Sequence, residues 1–149
     1  MADYPIREAA RLAGLAATAI RYYESIGLLD PPKRDASSGH RVYSDADLMT
    51  LEAVACLHAT GLSIPDMRNY LQNSRRGIDG AALQIELLNA QAEQLERESE
   101  YLELRRRYVD LKTRFWQATL AGDDSLATRL AGEASAMATR LSEGTRRFK

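Results

Sequence analysis

The sequence has few of the residues that build metal sites and disulfide bonds. Among its 149 residues there are one cysteine, Cys56, and two histidines, His40 and His58. A single cysteine has no partner for a disulfide within the chain, and so few Cys and His side chains do not supply a zinc site. We therefore expect no disulfide, no metal site and no bound cofactor.

Long apolar runs are missing as well. The chain is 45% hydrophobic and 28% charged, but no apolar stretch approaches the length that a bilayer crossing needs. The first ten residues, MADYPIREAA, lack the basic start and apolar core of a signal peptide. These features predict a cytoplasmic protein without a membrane partner, made of one domain or of a small domain and an appendage.

The sequence also lacks the marks of an enzyme and of a strongly basic protein. It has no Gly-rich phosphate loop, no catalytic triad and no paired carboxylates outside solvated helix faces, so we expect no catalytic residues. The formal net charge is −1, and residues 1–43 hold six Lys and Arg against five acids. Any binding of nucleic acid must therefore come from the placement of basic residues and not from their number.

The sequence does contain many chain-breaking residues in its first half, and they divide it into short elements. Residues 5–13 and 16–25 each have the spacing of a short helix, and Gly14 between them allows a tight turn. Two short helices joined in this way are typical of a helix-turn-helix motif, whose second helix enters the major groove. That second helix contains the stretch AIRYYESIGLL, which places an arginine beside two tyrosines and suits a large, negatively charged partner.

A basic hairpin is predicted after the second helix. Pro31 and Pro32 exclude a helix there, and the segment Ser-Ser-Gly at residues 37–39 has the composition of a turn. We expect the two strands of this wing at residues 28–29 and 41–43. The basic residues around it are Lys33, Arg34, His40 and Arg41. A solvated loop with incidental charge is the alternative interpretation.

The rest of the sequence predicts helices. A capping box at residues 44–47 starts a helix to about residue 60, and a second cap at Ser63 starts one to about residue 72. Residues 80–118 have the pattern of one long helix, roughly 55 Å in length at about 1.5 Å per residue. Its apolar positions recur at steps of three and four, which is typical of a coiled coil and requires a partner helix. This seam consists of Ala81, Ile85, Leu88, Ala92, Leu95, Ser99 and Leu102.

A second apolar stripe on the long helix begins at Tyr101 and ends at Phe115. A last helix is expected from Ser125 onward, with one apolar face that would pack against this stripe. The expected fold is thus mainly α-helical. It comprises a winged helix-turn-helix domain in residues 1–75, a linker and long dimerisation helix in residues 76–120, and a C-terminal helix in residues 121–149 that could form an effector region.

These motifs resemble those of the MerR family of bacterial transcription regulators. The matching segments are IREAARLAGLAATAIRYYESIGLL, KRDASSGHRVYSDADL and LHATGLSIPDM, followed by the long helix, and together they cover about residues 4–116. The resemblance implies a homodimer built on an antiparallel coiled coil, with each head on half of a near-palindromic promoter. It also implies activation of RNA polymerase by bending and untwisting a promoter spacer that is too long.

The resemblance assigns roles to single residues as well. On the second helix, the residues at the DNA surface are Thr18, Arg21, Tyr22 and Tyr23. In the wing, the DNA-backbone residues are Arg41 and Tyr43, and Arg34 belongs to the same basic surface. For Tyr23, packing against the wing is an equal alternative. The dimerisation residues are Ile85, Leu88, Ala92, Leu95 and Leu102. The family usually starts the second helix with Ser or Thr, and here that position is Ala16, which should cost about 1 kcal/mol of capping energy.

The sequence leaves the signal that such a regulator would sense open. Metal-sensing members of the family have cysteines near the far end of the long helix, and this sequence has none there. The stretch CLHATGLSI around Cys56 resembles the NmlR and AdhR branch, which implies a thiolate that traps an aldehyde or another electrophile. Cys56 could instead be an inert core thiol or have a different redox role.

Two further alternatives remain. A small apolar effector could bind without covalent chemistry between the second stripe and the last helix. The pocket would be lined by Tyr101, Tyr108, Phe115, Trp116 and Met137. In a different class of function, the chain would be a coiled-coil adaptor that does not bind DNA, which would explain the long helix but not the wing or the second helix.

Overall fold

The computed structural model describes residues 2–148 as a chain of helices with one small sheet. The helices are α1 (Ile6–Ala13), α2 (Ala17–Ser25), α3 (Asp45–Ala59), α4 (Ile64–Arg75), α5 (Ala81–Leu120), α6 (Asp124–Ser135) and α7 (Ala138–Arg147), with a 3-10 helix at Gly77–Gly80. The strands are β1 (Tyr4–Pro5), β2 (Lys33–Arg34) and β3 (Arg41–Tyr43). The chain forms two compact units, the first ending at Leu88 and the second beginning at Asn89. Within residues 2–148 no helix has both the length and the hydrophobicity of a membrane span.

The three strands form one antiparallel sheet in the order β1-β3-β2. The prediction of a first wing strand at residues 28–29 is wrong. The wing strand that pairs with β3 is β2, which follows the two prolines. The two leucines at 28–29 are both buried in the core of the first unit. Successive residues of a strand point to opposite faces, so a strand with one solvated face could not bury both. Strand β1 was not predicted, since two residues are too short to show a period.

Local capping explains where α3 and α4 begin. The hydroxyl of Ser44 accepts a hydrogen bond from the backbone N–H of Asp47, and the Asp47 carboxylate accepts one from the backbone N–H of Ser44. This is the predicted capping box at the start of α3. The hydroxyl of Ser63 caps α4 in the same manner. Helix α2 begins after Ala16 without any side-chain cap, so its position depends on the burial of its inward face.

The core of the first unit is built from the inward faces of its first four helices and the two leucines before the wing. The most deeply buried large side chains are Ile20, Leu51, Val54 and Met67. Three alanines on α1, at positions 9, 10 and 13, face the same core. Each fully buried aliphatic side chain stabilises the fold by about 1.5–3 kcal/mol. This packing holds α2 and the wing in one fixed relation.

The second unit consists of α6 and α7 packed against most of α5. Its buried residues are Leu111, Ala118, Ala127, Leu130, Ala134 and Met137. The predicted C-terminal helix is in fact two helices, because the chain bends between Ser135 and Ala138. Beyond the bend, the backbone of Gly144 lies against the ring of Tyr101, so closely that a side chain at this position would collide with it. The apolar pattern could not reveal this contact, since glycine contributes nothing to an apolar face.

Candidate nucleic-acid interface

Helix α2 presents three of its predicted DNA-facing residues to solvent. Thr18, Arg21 and Tyr22 are all exposed, and Tyr22 keeps 52% of its surface accessible. Because residues three and four apart lie on one side of a helix, these side chains form a common outer face. Arg21 has no carboxylate partner among the ion pairs of residues 2–148. Its guanidinium is therefore free to bind an external anion.

Tyr23 does not belong to this outer face. Its side chain is only 6% exposed and packs in the core of the first unit. The rings of Tyr22 and Tyr23 lie 5.9 Å apart between their centroids and are tilted by 49°. Adjacent residues on a helix point about 100° apart, so one ring of this pair faces outward and the other inward. The prediction that Tyr23 lies at the DNA surface is corrected to a packing role.

Glu24 joins the recognition helix α2 to the wing. Its carboxylate accepts a hydrogen bond from Nε of Arg41 at 3.1 Å and one from the hydroxyl of Tyr43 at 2.6 Å. The Glu24 side chain is only 8% exposed, so both bonds form in a setting with little competing water. No sequence signal identified Glu24, because its two partners lie 17 and 19 residues further along the chain.

Tyr43 serves this junction and not the DNA backbone. Its ring is buried, and its hydroxyl is already engaged with Glu24. Burial raises the pKa of Tyr43, and the hydrogen bond to the Glu24 carboxylate raises it further. A hydroxyl held in this way cannot reach a phosphate, so the predicted backbone contact by Tyr43 is wrong. Arg41 is half-buried and shares the same carboxylate, while 33% of its side-chain surface stays accessible.

The tip of the wing is ordered by Asp35, which the sequence interpretation also missed. The Oδ1 of Asp35 accepts hydrogen bonds from the Ser37 hydroxyl at 2.6 Å and from the backbone N–H groups of Ser37 and Ser38. These bonds hold the pKa of the Asp35 carboxyl well below its usual range. Arg34 reaches across the same turn and donates to the carbonyl of Gly39 at 2.9 Å. The turn is thus ordered by its own hydrogen bonds, although most of its residues are exposed to solvent.

Basic groups concentrate in a cleft between α2 and the wing. The cleft has a volume of about 230 Å³, and its charged lining consists of Arg21, Arg34 and Arg41 against the single acid Glu24. Glu24 is already bonded to Arg41, so the cleft offers positive charge although the whole chain has a net charge of −1. An oxyanion such as a phosphate group fits guanidinium groups arranged in this way.

The C-terminal end of α2 is held by a residue from another helix. Nη2 of Arg68, on α4, donates to the carbonyl of Ile26 at 2.8 Å. A positive charge near the last carbonyls of a helix is favourable because it opposes the helix dipole. Arg75, near the end of the same helix, pairs with Asp30 at 2.9 Å, but both side chains are largely exposed. The first contact therefore contributes more to the placement of α2 than the second.

None of the predicted effector and dimerisation residues is part of the lining of this cleft. Cys56 is exposed on α3 within the single chain, so the alternative of a core thiol is wrong. Of the predicted apolar pocket, Met137 is buried in the core of the second unit, whereas Trp116 is 62% exposed and does not belong to that core. The dimerisation residues are all exposed on α5: Ile85, Leu88, Ala92, Leu95 and Leu102. Across residues 2–148 no three His, Cys, Asp or Glu side chains come together as a metal site would require.

Comparison with known proteins gives one consistent family. Residues 4–74 match the family described as MerR HTH family regulatory protein. Two relatives are from Bacillus subtilis (strain 168). The HTH-type transcriptional regulator YyaN is 37% identical over 70 residues, which are 47% of this chain and 50% of the relative. The HTH-type transcriptional regulator AdhR is 40% identical over 65 residues, 44% of this chain and 46% of the relative. The chain thus spans about half the length of these relatives.

A solved structure extends the likeness beyond the first unit. It is the crystal structure of HiNmlR, described as a MerR family regulator lacking the sensor domain and bound to promoter DNA. The TM-score is 0.66 at 27% sequence identity, and the match covers 84% of this chain and 96% of that one. The similarity therefore includes a large part of the long helix α5.

Proposed function

Because residues 4–74 are a helix-turn-helix domain of the MerR family, we propose that this chain is a transcription regulator that binds promoter DNA as a homodimer. One observation carries the proposal: Arg21, on the outer face of α2, and the arginines of the wing border the same cationic cleft. Arg21 would bind a guanine edge or a phosphate, and the hydroxyl of Tyr22 would donate to a phosphate. Arg34 and Arg41 would bind the backbone beside the groove. HiNmlR, described as bound to promoter DNA, supports this assignment.

An uncovered apolar row on α5 supports the homodimer. Leu88, Leu95, Leu102, Val109 and Trp116 are spaced seven residues apart, and all are exposed in the single chain. A seven-residue repeat places side chains on one side of a helix, where they form the seam of a coiled coil. The row is symmetric about Leu102, which is its third member. Two antiparallel copies would therefore place Leu102 opposite its own counterpart and Leu95 opposite Val109, with a two-fold axis at the centre.

The dimer supplies a mechanism for control of transcription. Two heads on one stiff coiled coil would hold two half-sites of DNA at a set distance. If the promoter spacer is too long for RNA polymerase, bending and untwisting it would bring the promoter elements into register. Bending the promoter DNA costs on the order of 1–6 kcal/mol of deformation energy, which the additional protein–DNA contacts must offset.

The signal proposed for this switch is an electrophile that reacts with Cys56. Cys56 is exposed on α3, and this exposure supports access by a small reagent. The thiolate would add to the carbonyl carbon of an aldehyde, and the new group would alter the packing around α3. We expect Cys56→Ser to keep its affinity for DNA but to lose induction by formaldehyde or methylglyoxal in a promoter–reporter assay. Normal induction of this variant, with no alkylation of the native protein by mass spectrometry, would exclude a cysteine sensor.

The experiment that tests DNA binding compares two arginines of equal charge. Promoter-length fragments selected from a random pool provide the operator, and fluorescence anisotropy then measures affinity. Arg21→Ala should weaken operator binding by about 1–3 kcal/mol, the value of a good base or phosphate contact. Arg129→Ala is the matched control, because Arg129 is exposed on α6 in the other unit. Failure to select any DNA would favour the coiled-coil adaptor, and equal losses in both variants would overturn the role of Arg21.

A further inference from the structure

A second cationic cavity lies in the unit that follows Leu88, between the middle of α5 and α7. Its volume is about 250 Å³, which suits a molecule of one ring. Three arginines line it, Arg97 from α5 and Arg140 and Arg147 from α7. Two glutamates, Glu100 and Glu143, also border it, so the lining carries one more positive charge than negative. None of the three guanidinium groups takes part in an ion pair found within residues 2–148.

Arg97 has an unused hydrogen-bond donor at this cavity. Its Nη2 donates to Oε1 of Gln94 at 3.0 Å, but its Nε is buried and has no acceptor in the part of the chain that the structure describes. A buried guanidinium N–H without an acceptor is costly, more so than a neutral one, because the group is charged. Arginine prefers the oxygens of carboxylates and phosphates as acceptors. Because Arg97 also lines the cavity, an anionic group there would pair with its guanidinium charge.

An aromatic wall stands beside the arginines. The rings of Tyr101 and Phe148 are stacked with centroids 5.2 Å apart and an interplanar angle of 27°. Tyr101 is held in place, because its hydroxyl lies 2.9 Å from the Thr145 hydroxyl and donates to the carbonyl of Leu141 at 3.2 Å. Gly144 lies directly against its ring. A glycine inside a helix costs about 1 kcal/mol relative to alanine, and here it permits this close approach.

We propose that this cavity is a binding site for a small aromatic carboxylate. The ring of the ligand packs on the wall formed by Tyr101 and Phe148, and its carboxylate pairs with the guanidinium group of Arg97, which lines the cavity. Arg140 and Arg147 add the positive charge that selects an anion over a neutral molecule. Phosphate alone lacks the ring, and an aliphatic acid lacks the flat face that stacks on aromatic side chains. Binding at this site does not depend on the proposed DNA function, whereas its use as an effector site rests on it.

Isothermal titration of the full chain with benzoate tests the site directly and without DNA. We expect saturable binding with one site per chain. Benzamide, which has the same ring without the charge, and inorganic phosphate, which has charge without the ring, should each bind about tenfold more weakly or worse. Absence of saturable benzoate binding at millimolar concentration would overturn the proposal. Equal affinity for benzoate and benzamide would overturn it as well.

Matched variants locate the ligand. Arg97→Gln should weaken benzoate binding by about tenfold or more, whereas Arg129→Gln, an exposed arginine of α6 that does not line the cavity, should leave it unchanged. Circular dichroism of each variant confirms that the helices remain. Benzoate affinity unchanged by Arg97→Gln would refute the assignment. If benzoate binds as expected but no DNA is selected, the site stands and the proposed regulator function fails; the reverse outcome removes only the site.

Discussion

The two units differ in how completely each covers its own apolar surface. The first unit has a core of thirteen buried apolar residues, and its exposed large side chains outside α5, such as Leu12, Met49 and Ile78, are scattered. The second unit buries six, while large apolar side chains recur along α5 at intervals of seven. Scattered exposed residues are ordinary on a protein surface, but an ordered apolar row marks an interaction site. The exposed apolar side chains of the first unit outside α5 therefore form no ordered row, whereas the row on α5 is consistent with the proposed dimer.

The two units also differ in whether their polar side chains have hydrogen-bond partners. In the first unit, the hydrogen bonds of Glu24, Asp35 and Arg68 hold α2 and the wing in place. In the second unit, Arg97 keeps a buried donor without an acceptor among the described residues. Satisfied buried polar groups make a surface rigid, and unsatisfied ones favour a ligand. The comparison separates a unit whose polar side chains fix its own elements from a unit in which one buried donor has no acceptor among the described residues.

The largest effect is expected from a charge at the centre of the apolar row. Leu102→Asp would place two carboxylates face to face on the proposed two-fold axis. Because burying unpaired charge costs several kcal/mol, dimer affinity should fall by about a hundredfold or more and operator binding should fail with it. Analytical ultracentrifugation measures the dimer. Ile78→Asp is the control, since Ile78 is 90% exposed in the 3-10 helix before α5. A wild-type chain that is monomeric at micromolar concentration would contradict this assembly.

A smaller effect is expected where the first unit holds the end of α2. Arg68→Met keeps the length of the side chain but loses the charged hydrogen bond to Ile26, which should lower the free energy of unfolding by about 1–2 kcal/mol in urea titrations. Arg75→Met is matched to it on the same helix. Its pair with Asp30 is exposed, so the loss should be about 0.5 kcal/mol or less. Similar losses in both variants would show that α2 does not depend on Arg68.

The junction between α2 and the wing predicts a dependence on pH. Tyr43→Phe removes the hydroxyl bonded to Glu24 and should cost about 1 kcal/mol near pH 7. Since the pKa of Tyr43 in the folded chain is raised from 10.0, its contribution to stability is complete below pH 10 and is lost as the pH rises further. The wild type should therefore lose more stability above pH 10 than the variant does. Parallel stability curves for the two chains would contradict a buried Tyr43 hydroxyl.

The smallest effect is expected at the uncapped start of α2. Ala16→Ser supplies the missing cap and should raise the free energy of unfolding by about 0.5–1 kcal/mol. Ala90→Ser, at an exposed position inside α5, provides a control in which serine replaces alanine without a cap to form. There a small loss is expected, because serine has the lower helix propensity. A gain at Ala90 equal to that at Ala16 would rule out capping as the cause.

Much of the fold could be predicted because its signals are local. The capping box at Ser44, the turn at Gly14 and the uninterrupted apolar spacing of α5 each depend on residues within a few positions of one another. The same spacing identified the exposed row as far as Leu102. The continuation of this row through Val109 and Trp116 was not predicted, because the second stripe on the same helix begins at Tyr101 and the two patterns overlap.

Less of the candidate site could be predicted, for the opposite reason. The sequence treats Tyr22 and Tyr23 alike, yet one is outward and the other buried. Tyr43 and Glu24 are nineteen residues apart, and nothing near either residue indicates their hydrogen bond. The cavity beside Arg97 requires α7 to return to α5, which follows a bend that the apolar pattern did not show.

The sequence alone determined the kinds of element and their order, because helix period, caps and turn residues are properties of neighbouring positions. The outer residues Thr18, Arg21 and Tyr22 were expected from the family resemblance, and the structure leaves all three exposed. Only the tertiary structure decided which side chains stay available for binding. Glu24 and Tyr43 are engaged in a hydrogen bond to each other that holds the wing, whereas Nε of Arg97 has no acceptor among the described residues. Burial and hydrogen-bond partners arise where separate elements meet, and the distances between elements are set by the packing of the whole core.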